Sequence, residues 1–173
     1  MENIDVLFLH GSPGSGKTTL ARAVSEVLRE ADVPHGVIDL DEISLVFPGQ
    51  DHSFARANLK AIYPHYAAIP GLRLLLSGVI EDEKELALLR EAVPGASLAV
   101  CELTAPEAVL KQRVAAREPN EFWRERLRRW VDVFRARTDL DRIRDFVVST
   151  HNRSEGDSAR EIIEKAGWLA PRR

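Results

Sequence analysis

Eight consecutive residues carry the most specific chemistry in the sequence. Gly11-Ser12-Pro13-Gly14-Ser15-Gly16-Lys17-Thr18 fits the spacing G-x-x-x-x-G-K-[ST] at every fixed position. Glycines let a backbone wrap a phosphate with no Cβ in the way. The exposed N–H groups and the positive end of the following helix then bind the anion. Lys17 supplies a point charge for the β- and γ-phosphates, and the Thr18 hydroxyl is a hard oxygen ligand for Mg²⁺. Thr19 completes the candidate nucleotide-binding set. An apolar run, Val6 to Leu9, enters the loop and an amphipathic pattern leaves it, the strand–loop–helix context this chemistry requires. The expected ligands are ATP or GTP, with Mg²⁺.

Asp39 and Asp41 are the next candidates. One residue separates them, so on an extended strand both face the same side. A carboxylate beside the phosphate site can accept a proton from a substrate hydroxyl or hold a water on Mg²⁺. Either fits the role of base, with Asp41 favoured by a small margin. The bland alternative is that one of them caps the next turn. Ser77, which opens Ser77-Gly78-Val79-Ile80-Glu81-Asp82, ends another apolar run and by residue type suits a cap of the next helix. Glu81 and Asp82 suit a first helical turn.

The strand and helix signals that would carry these groups are short and regular along the chain. Apolar runs at Val6–His10, Gly36–Leu40, Leu72–Ser77, Leu98–Leu103 and Phe146–Ser149 read as strands buried on both faces. Pro-Gly pairs at 48–49, 70–71 and 94–95 mark turns. Helical patterns cover Thr18–Ala31 and about Asn120–Arg137. Capping boxes at Thr104–Glu107 and Ser158–Glu161 are expected to open two more helices, with Gly167 as the stop of the last. Alternating strands and helices predict an α/β three-layer domain over residues 1–173, with no repeat and no linker.

The chain has 173 residues, a net charge of -3 and a pI near 6.0, which makes general nucleic-acid binding unexpected. The charge is uneven. Lys111 to Arg144 carries 11 Lys/Arg against 6 Asp/Glu, which reads as a solvated face or as a local site for a compact polyanion. A single cysteine, Cys101, excludes an internal disulfide and fits a reducing cytoplasm. No run is long enough to span a bilayer, and the acidic start MENIDVLFLHG lacks the form of an export signal. The histidines show no metal-ligand spacing.

Motifs of other nucleotide-binding classes are missing. The chain has no D-x-x-G and N-K-x-D pair of a Ras-like switch, no LSGGQ-like signature, and no aspartate closing the third apolar run. Together, the phosphate loop, Asp39-Leu40-Asp41, Ser77-Gly78 and the arginine-rich stretch resemble the small P-loop kinases of the nucleoside monophosphate kinase superfamily. Gluconate, shikimate, adenylylsulfate and chloramphenicol kinases are the nearest subgroup.

The resemblance implies a five-stranded parallel sheet in the order 2-3-1-4-5, an acceptor region near 42–70 and a helical lid near 113–137. It makes Arg56 a candidate acceptor-binding residue, Ser77 a candidate contact of substrate or metal-bound water, and Thr150 to Arg153 the neighbourhood of the base. Arg113 and Arg117, four apart on one helix face, become lid arginines that neutralise a transferring phosphoryl group. Trp123, Leu127, Trp130 and Phe134 form a helix stripe that packs on the body or another subunit, or walls an apolar pocket. The expected activity is phosphoryl transfer from ATP to a hydroxyl of a small molecule, by a monomer or homodimer. Rival readings are a nucleoside or nucleotide kinase, a polynucleotide-end kinase, and a regulatory nucleotide-binding module.

Overall fold

The computed structural model describes residues 4–169. Strands β1 (Asp5–Gly11), β2 (His35–Asp39), β3 (Arg73–Gly78), β4 (Ser97–Thr104) and β5 (Phe146–Ser149) form one sheet in the order β2-β3-β1-β4-β5. All pairings are parallel. This is the order implied by the resemblance, and each strand begins and ends within one residue of its apolar run.

Helices α1 (Lys17–Glu30), α2 (His52–Ala67), α3 (Glu83–Ala92), α4 (Glu107–Arg117), α5 (Glu121–Arg135), α6 (Leu140–Ile143) and α7 (Glu155–Lys165) fill the connections. A 3₁₀ turn, Glu42–Ser44, precedes α2. The alternation within β1 explains the layers. Val6 and Phe8 join a core cluster with Leu59 of α2 and Leu89 of α3, whereas Leu7 and Leu9 join one with Leu28 of α1 and Ile162 of α7. Both sheet faces are thus covered, which is why the strands are continuously apolar. A third cluster joins α4 and α5 through Leu110, Val114 and Val131.

Two helix starts differ from expectation. Thr104 does not cap α4; its carbonyl accepts the Thr150 N–H at 2.8 Å, which keeps it in the sheet, and Pro106 takes the cap position. Helix α7 starts one turn earlier than Ser158. Ser154 caps it by accepting the Asp157 N–H, and Ser158 is buried in the second turn. Ser154-x-x-Asp157 is itself a capping box, so the upstream signal prevails.

The tryptophan stripe is divided rather than packed as one. Phe134 is buried and Leu127 is partly buried, but Trp123 and Trp130 are exposed. Among the described residues no helix is long and apolar enough to cross a membrane. Cys101 fills a buried strand position, where burial pushes its thiol up to about 12.

Candidate active site

The carboxyl ends of the strands converge on the phosphate loop. Register sets Ser77 beside both Leu9 and Asp39, and His10 beside Gly78. Ligands of open parallel sheets bind at this edge. Within the loop, Gly14 has φ +78°, and a Cβ there would meet the Leu110 carbonyl at 2.6 Å. Gly16, at φ +96°, occupies the N-cap of α1. The left-handed backbone at both positions favours glycine. Lys17 Nζ donates to the carbonyls of Gly11 (2.9 Å) and Ser12 (3.1 Å), so the ammonium is folded back over the loop. Burial pushes it down to about 8; Asp41 opposes this shift, Arg117 adds to it and Asp39 opposes it.

The two aspartates do not share a strand face. Strand β2 ends at Asp39, and Asp41 is the N-cap of the 3₁₀ turn, with φ −67° and ψ −39°. Asp39 Oδ2 accepts the Thr18 hydroxyl at 3.1 Å, and Oδ1 accepts the Asp41 N–H at 2.9 Å. Among the described residues the Asp41 carboxylate accepts no hydrogen bond, and its side chain is exposed near Lys17 and Arg56. The turn therefore separates the two carboxylates into different surroundings.

Arg56 rises from α2 into the protein. Its Nη2 donates to the Val79 carbonyl at 3.3 Å and lies 3.6 Å from Glu85. Burial lowers its pKa, against the pull of Glu85, Asp41 and Glu81. Glu85 also pairs with His52 at 2.6 Å, and this hydrogen bond raises the pKa of His52. The Asp82 carboxylate caps α3 through the Glu85 N–H, while Glu85 accepts the Glu81 N–H at 2.6 Å. Glu81 and Asp82 therefore open α3, and Ser77 remains in β3.

His10 and Arg137 were not singled out by sequence reasoning. His10 is fully buried; its Nδ1 accepts the Ile80 N–H at 3.0 Å, and its ring lies 5.2 Å from that of Phe134. Arg137 donates to the Ile80 carbonyl at 2.7 Å and pairs with Asp139 at 2.9 Å. Burial pushes His10 down to about 3, and the charges of Arg137 and Lys17 add to the shift. Its position as the last side chain before the first loop glycine is the only sequence signal it offers.

Arg113 is turned inward. Its guanidinium donates to the Gly14 carbonyl (3.2 Å), the Thr150 hydroxyl (2.9 Å) and the Thr150 carbonyl (2.8 Å). Thr150 in turn donates toward the Ser15 carbonyl at 3.1 Å. Arg113 thus braces the loop against the end of β5 instead of standing free on a lid. Arg117, one turn on, is exposed, and its charge reaches Lys17. Beside this brace a cavity of about 240 Å³ is bounded by Thr19, Arg113, Thr150, Arg153 and Ser158. It lies where the nucleobase was expected.

The residues fit a bound nucleotide and Mg²⁺. Buried polar side-chain atoms normally have partners. Among the described residues four do not: His10 Nε2, Ser15 Oγ, Arg56 Nε and Ser77 Oγ. All belong to the carboxyl edge or the α2 side chain packed beneath it. Thr18 and Asp39 supply one hydroxyl and one carboxylate, the few hard oxygens that Mg²⁺ needs when phosphates and waters complete its shell. No group of three or more His, Cys, Asp or Glu suited to a metal occurs among the described residues.

No protein-family model matches the chain, and no curated protein matches it. Solved structures do. A gluconokinase from Sinorhizobium meliloti 1021 has 20% identity and a TM-score of 0.67, covering 98% of this chain and 95% of its own. The Mycobacterium tuberculosis APS kinase CysC, in complex with AMPPNP and APS, has 18% identity and a TM-score of 0.63, covering 95% and 98%. A shikimate kinase from Acinetobacter baumannii, in complex with shikimate, has 20% identity and a TM-score of 0.62, covering 99% and 97%. The chain therefore has the fold of the small P-loop kinases over nearly its whole length.

Proposed function

We propose that the protein transfers the γ-phosphoryl group of ATP to a hydroxyl of a small molecule, with Mg²⁺. The observation that carries this reading is the joint placement of Lys17, Thr18, Asp39 and Asp41 at one sheet edge, two of them tied by the Thr18–Asp39 hydrogen bond. In solved structures of the same fold, CysC holds AMPPNP and APS and the A. baumannii enzyme holds shikimate.

Lys17 and the loop N–H groups hold the phosphates, and Thr18 with Asp39 orients the metal side. Bound Mg²⁺ neutralises charge on the phosphate oxygens. Asp39 is engaged through both carboxylate oxygens, so Asp41 is the better base. The acceptor oxygen bonds to the γ-phosphorus, the bond to the bridging oxygen breaks to release ADP, and the hydroxyl proton passes to Asp41. Arg117 supplies positive charge from the end of α4 as the phosphoryl group moves. Arg113 holds the loop in shape, and Ser77 and Arg56 face the acceptor. The partners on this reading are a nucleotide and a small acceptor, with no nucleic acid.

The test is ADP formation from ATP and Mg²⁺ across pools of hydroxyl compounds, with mass detection of a phosphorylated product. A product lost in Lys17→Met supports the reading. ATP binding with no product in any pool, oligonucleotides included, would replace it with a nucleotide-binding regulatory role.

A further inference from the structure

Three side chains and one peptide group form a closed circuit beside the phosphate loop. His10, the last side chain before Gly11, accepts the Ile80 N–H at Nδ1, 3.0 Å away. Its imidazole lies 5.2 Å from the ring of Phe134, near the end of α5. The Arg137 guanidinium lies 5.3 Å over that same Phe134 ring and donates to the Ile80 carbonyl at 2.7 Å, which closes the circuit. The other donors of Arg137 reach the two carboxylate oxygens of Asp139 at 2.9 and 3.0 Å. Arg137 is therefore a strut and not a free charge. The preceding peptide extends the connection, because the Val79 carbonyl accepts Arg56 of α2 at 3.3 Å. Two successive peptides thus tie the end of β1, helix α2 and the end of α5 together. His10 and Ile80 are both fully buried.

We infer that His10 is a positioning residue for phosphoryl transfer: by gripping Ile80 it locks the end of α5 and helix α2 to the entrance of the phosphate loop. This rests on the phosphotransferase reading above. A backbone N–H only donates, so Nδ1 must present its lone pair and the imidazole is neutral, with its proton on Nε2. Protonation at Nδ1 would break the bond to Ile80 and bury a charge that Arg137, Lys17 and Arg144 repel, with Asp139 opposing them. A leucine or phenylalanine would fill the space against Phe134 but accept nothing from Ile80. Histidine meets both needs. Phosphoryl transfer is mostly placement and charge stabilisation, so a small displacement of one element against another lowers the rate steeply. His10 itself touches neither nucleotide nor acceptor on this reading; it acts through Ile80.

The experiment uses the full chain and two probes: ADP, and ADP with aluminium fluoride and Mg²⁺, which mimics the transferring phosphoryl group. Calorimetry gives both affinities. His10→Leu keeps an apolar body against Phe134 and removes the acceptor of the Ile80 N–H. It should weaken binding of the fluoride complex about tenfold or more and leave ADP binding within about twofold. His10→Asn, whose amide oxygen reaches the place of Nδ1, should restore most of the loss. Arg137→Met should show the same selective loss, and the double variant His10→Leu with Arg137→Met should cost little more than the worse single one. Equal weakening of both probes, weakening of neither, no rescue by asparagine, or full additivity overturns the inference and leaves His10 as core filling. If His10→Leu does not fold, Arg137→Met and His10→Asn decide. Selective loss in the first with near-parent binding in the second upholds the inference, and any other pattern overturns it. If the parent chain binds the two probes alike, the phosphotransferase reading loses its support separately. The imidazole nitrogen NMR signals of His10, assigned by their loss in His10→Asn, then decide the link to Ile80. A neutral imidazole protonated at Nε2 upholds it, and one that is charged or protonated at Nδ1 overturns it.

Discussion

The Thr18 hydroxyl donates to Asp39 Oδ2 at 3.1 Å, joining the first turn of α1 to the end of β2 across 21 residues of sequence. The bond sets a hydroxyl and a carboxylate side by side at the phosphate loop. In Asp39→Asn the hard anionic oxygen is lost while the shape is kept. The Mg²⁺ concentration for half-maximal ATP turnover should rise about tenfold or more, the loss of one charge-assisted hydrogen bond. A Mg²⁺ titration at saturating ATP measures it, and an unchanged midpoint would remove Asp39 from the metal side.

Asp41 is assigned the proton. Asp41→Asn should lower kcat by ~10²–10⁴-fold and leave ATP binding within about twofold. Single-turnover kinetics with calorimetric ATP titration separates the two effects. Retained turnover in Asp41→Asn, with loss in Asp39→Asn, would exchange their roles.

Arg113 acts through three hydrogen bonds to Gly14 and Thr150. Arg113→Lys keeps the charge but not the planar fork. It should weaken ADP binding nearly as much as Arg113→Ala. Thr150→Val should cost about 1–3 kcal/mol of stability by leaving buried groups unpaired. Denaturant unfolding with and without ADP reads both. Full rescue by lysine would show that Arg113 serves as a charge rather than a brace.

The Lys17 ammonium is lowered from 10.5 to about 8 by burial, so nucleotide binding is predicted to depend on pH. Phosphate charge favours the protonated form, so binding near pH 8 should take up protons, and affinity should fall as pH rises above it. Stability without nucleotide has the opposite trend. Between about 8 and 10.5 the unfolded lysine keeps a proton that the folded one has released, so stability rises with pH there. Calorimetry in two buffers of different ionisation enthalpy tests the uptake, which Lys17→Met should abolish.

Most of the scaffold is legible in local sequence. The phosphate loop is contiguous, and its glycines, Lys17 and Thr18 act from adjacent positions. The apolar runs name all five strands because burial on both faces leaves no polar alternation. Where local signals compete, as at Thr104 and Ser158, a ladder hydrogen bond or an earlier cap decides the boundary.

The site beyond the loop was settled by long-range contacts. Asp39 and Asp41 look equivalent along the chain, and the turn after β2 gives one to Thr18 and leaves the other exposed. Arg113 reads as a lid residue until the packing of α4 on the loop turns it toward Thr150. His10 and Arg137 are far apart in sequence, and their roles arise only because both reach the backbone of Ile80. The fold class, the strand positions and the Gly11–Thr18 loop can all be read along the chain, because periodicity and a contiguous motif are local properties. Which carboxylate Thr18 engages, which is left exposed, and which arginine braces the loop follow from the folded packing, since burial and hydrogen bonding depend on neighbours that the chain supplies from a distance.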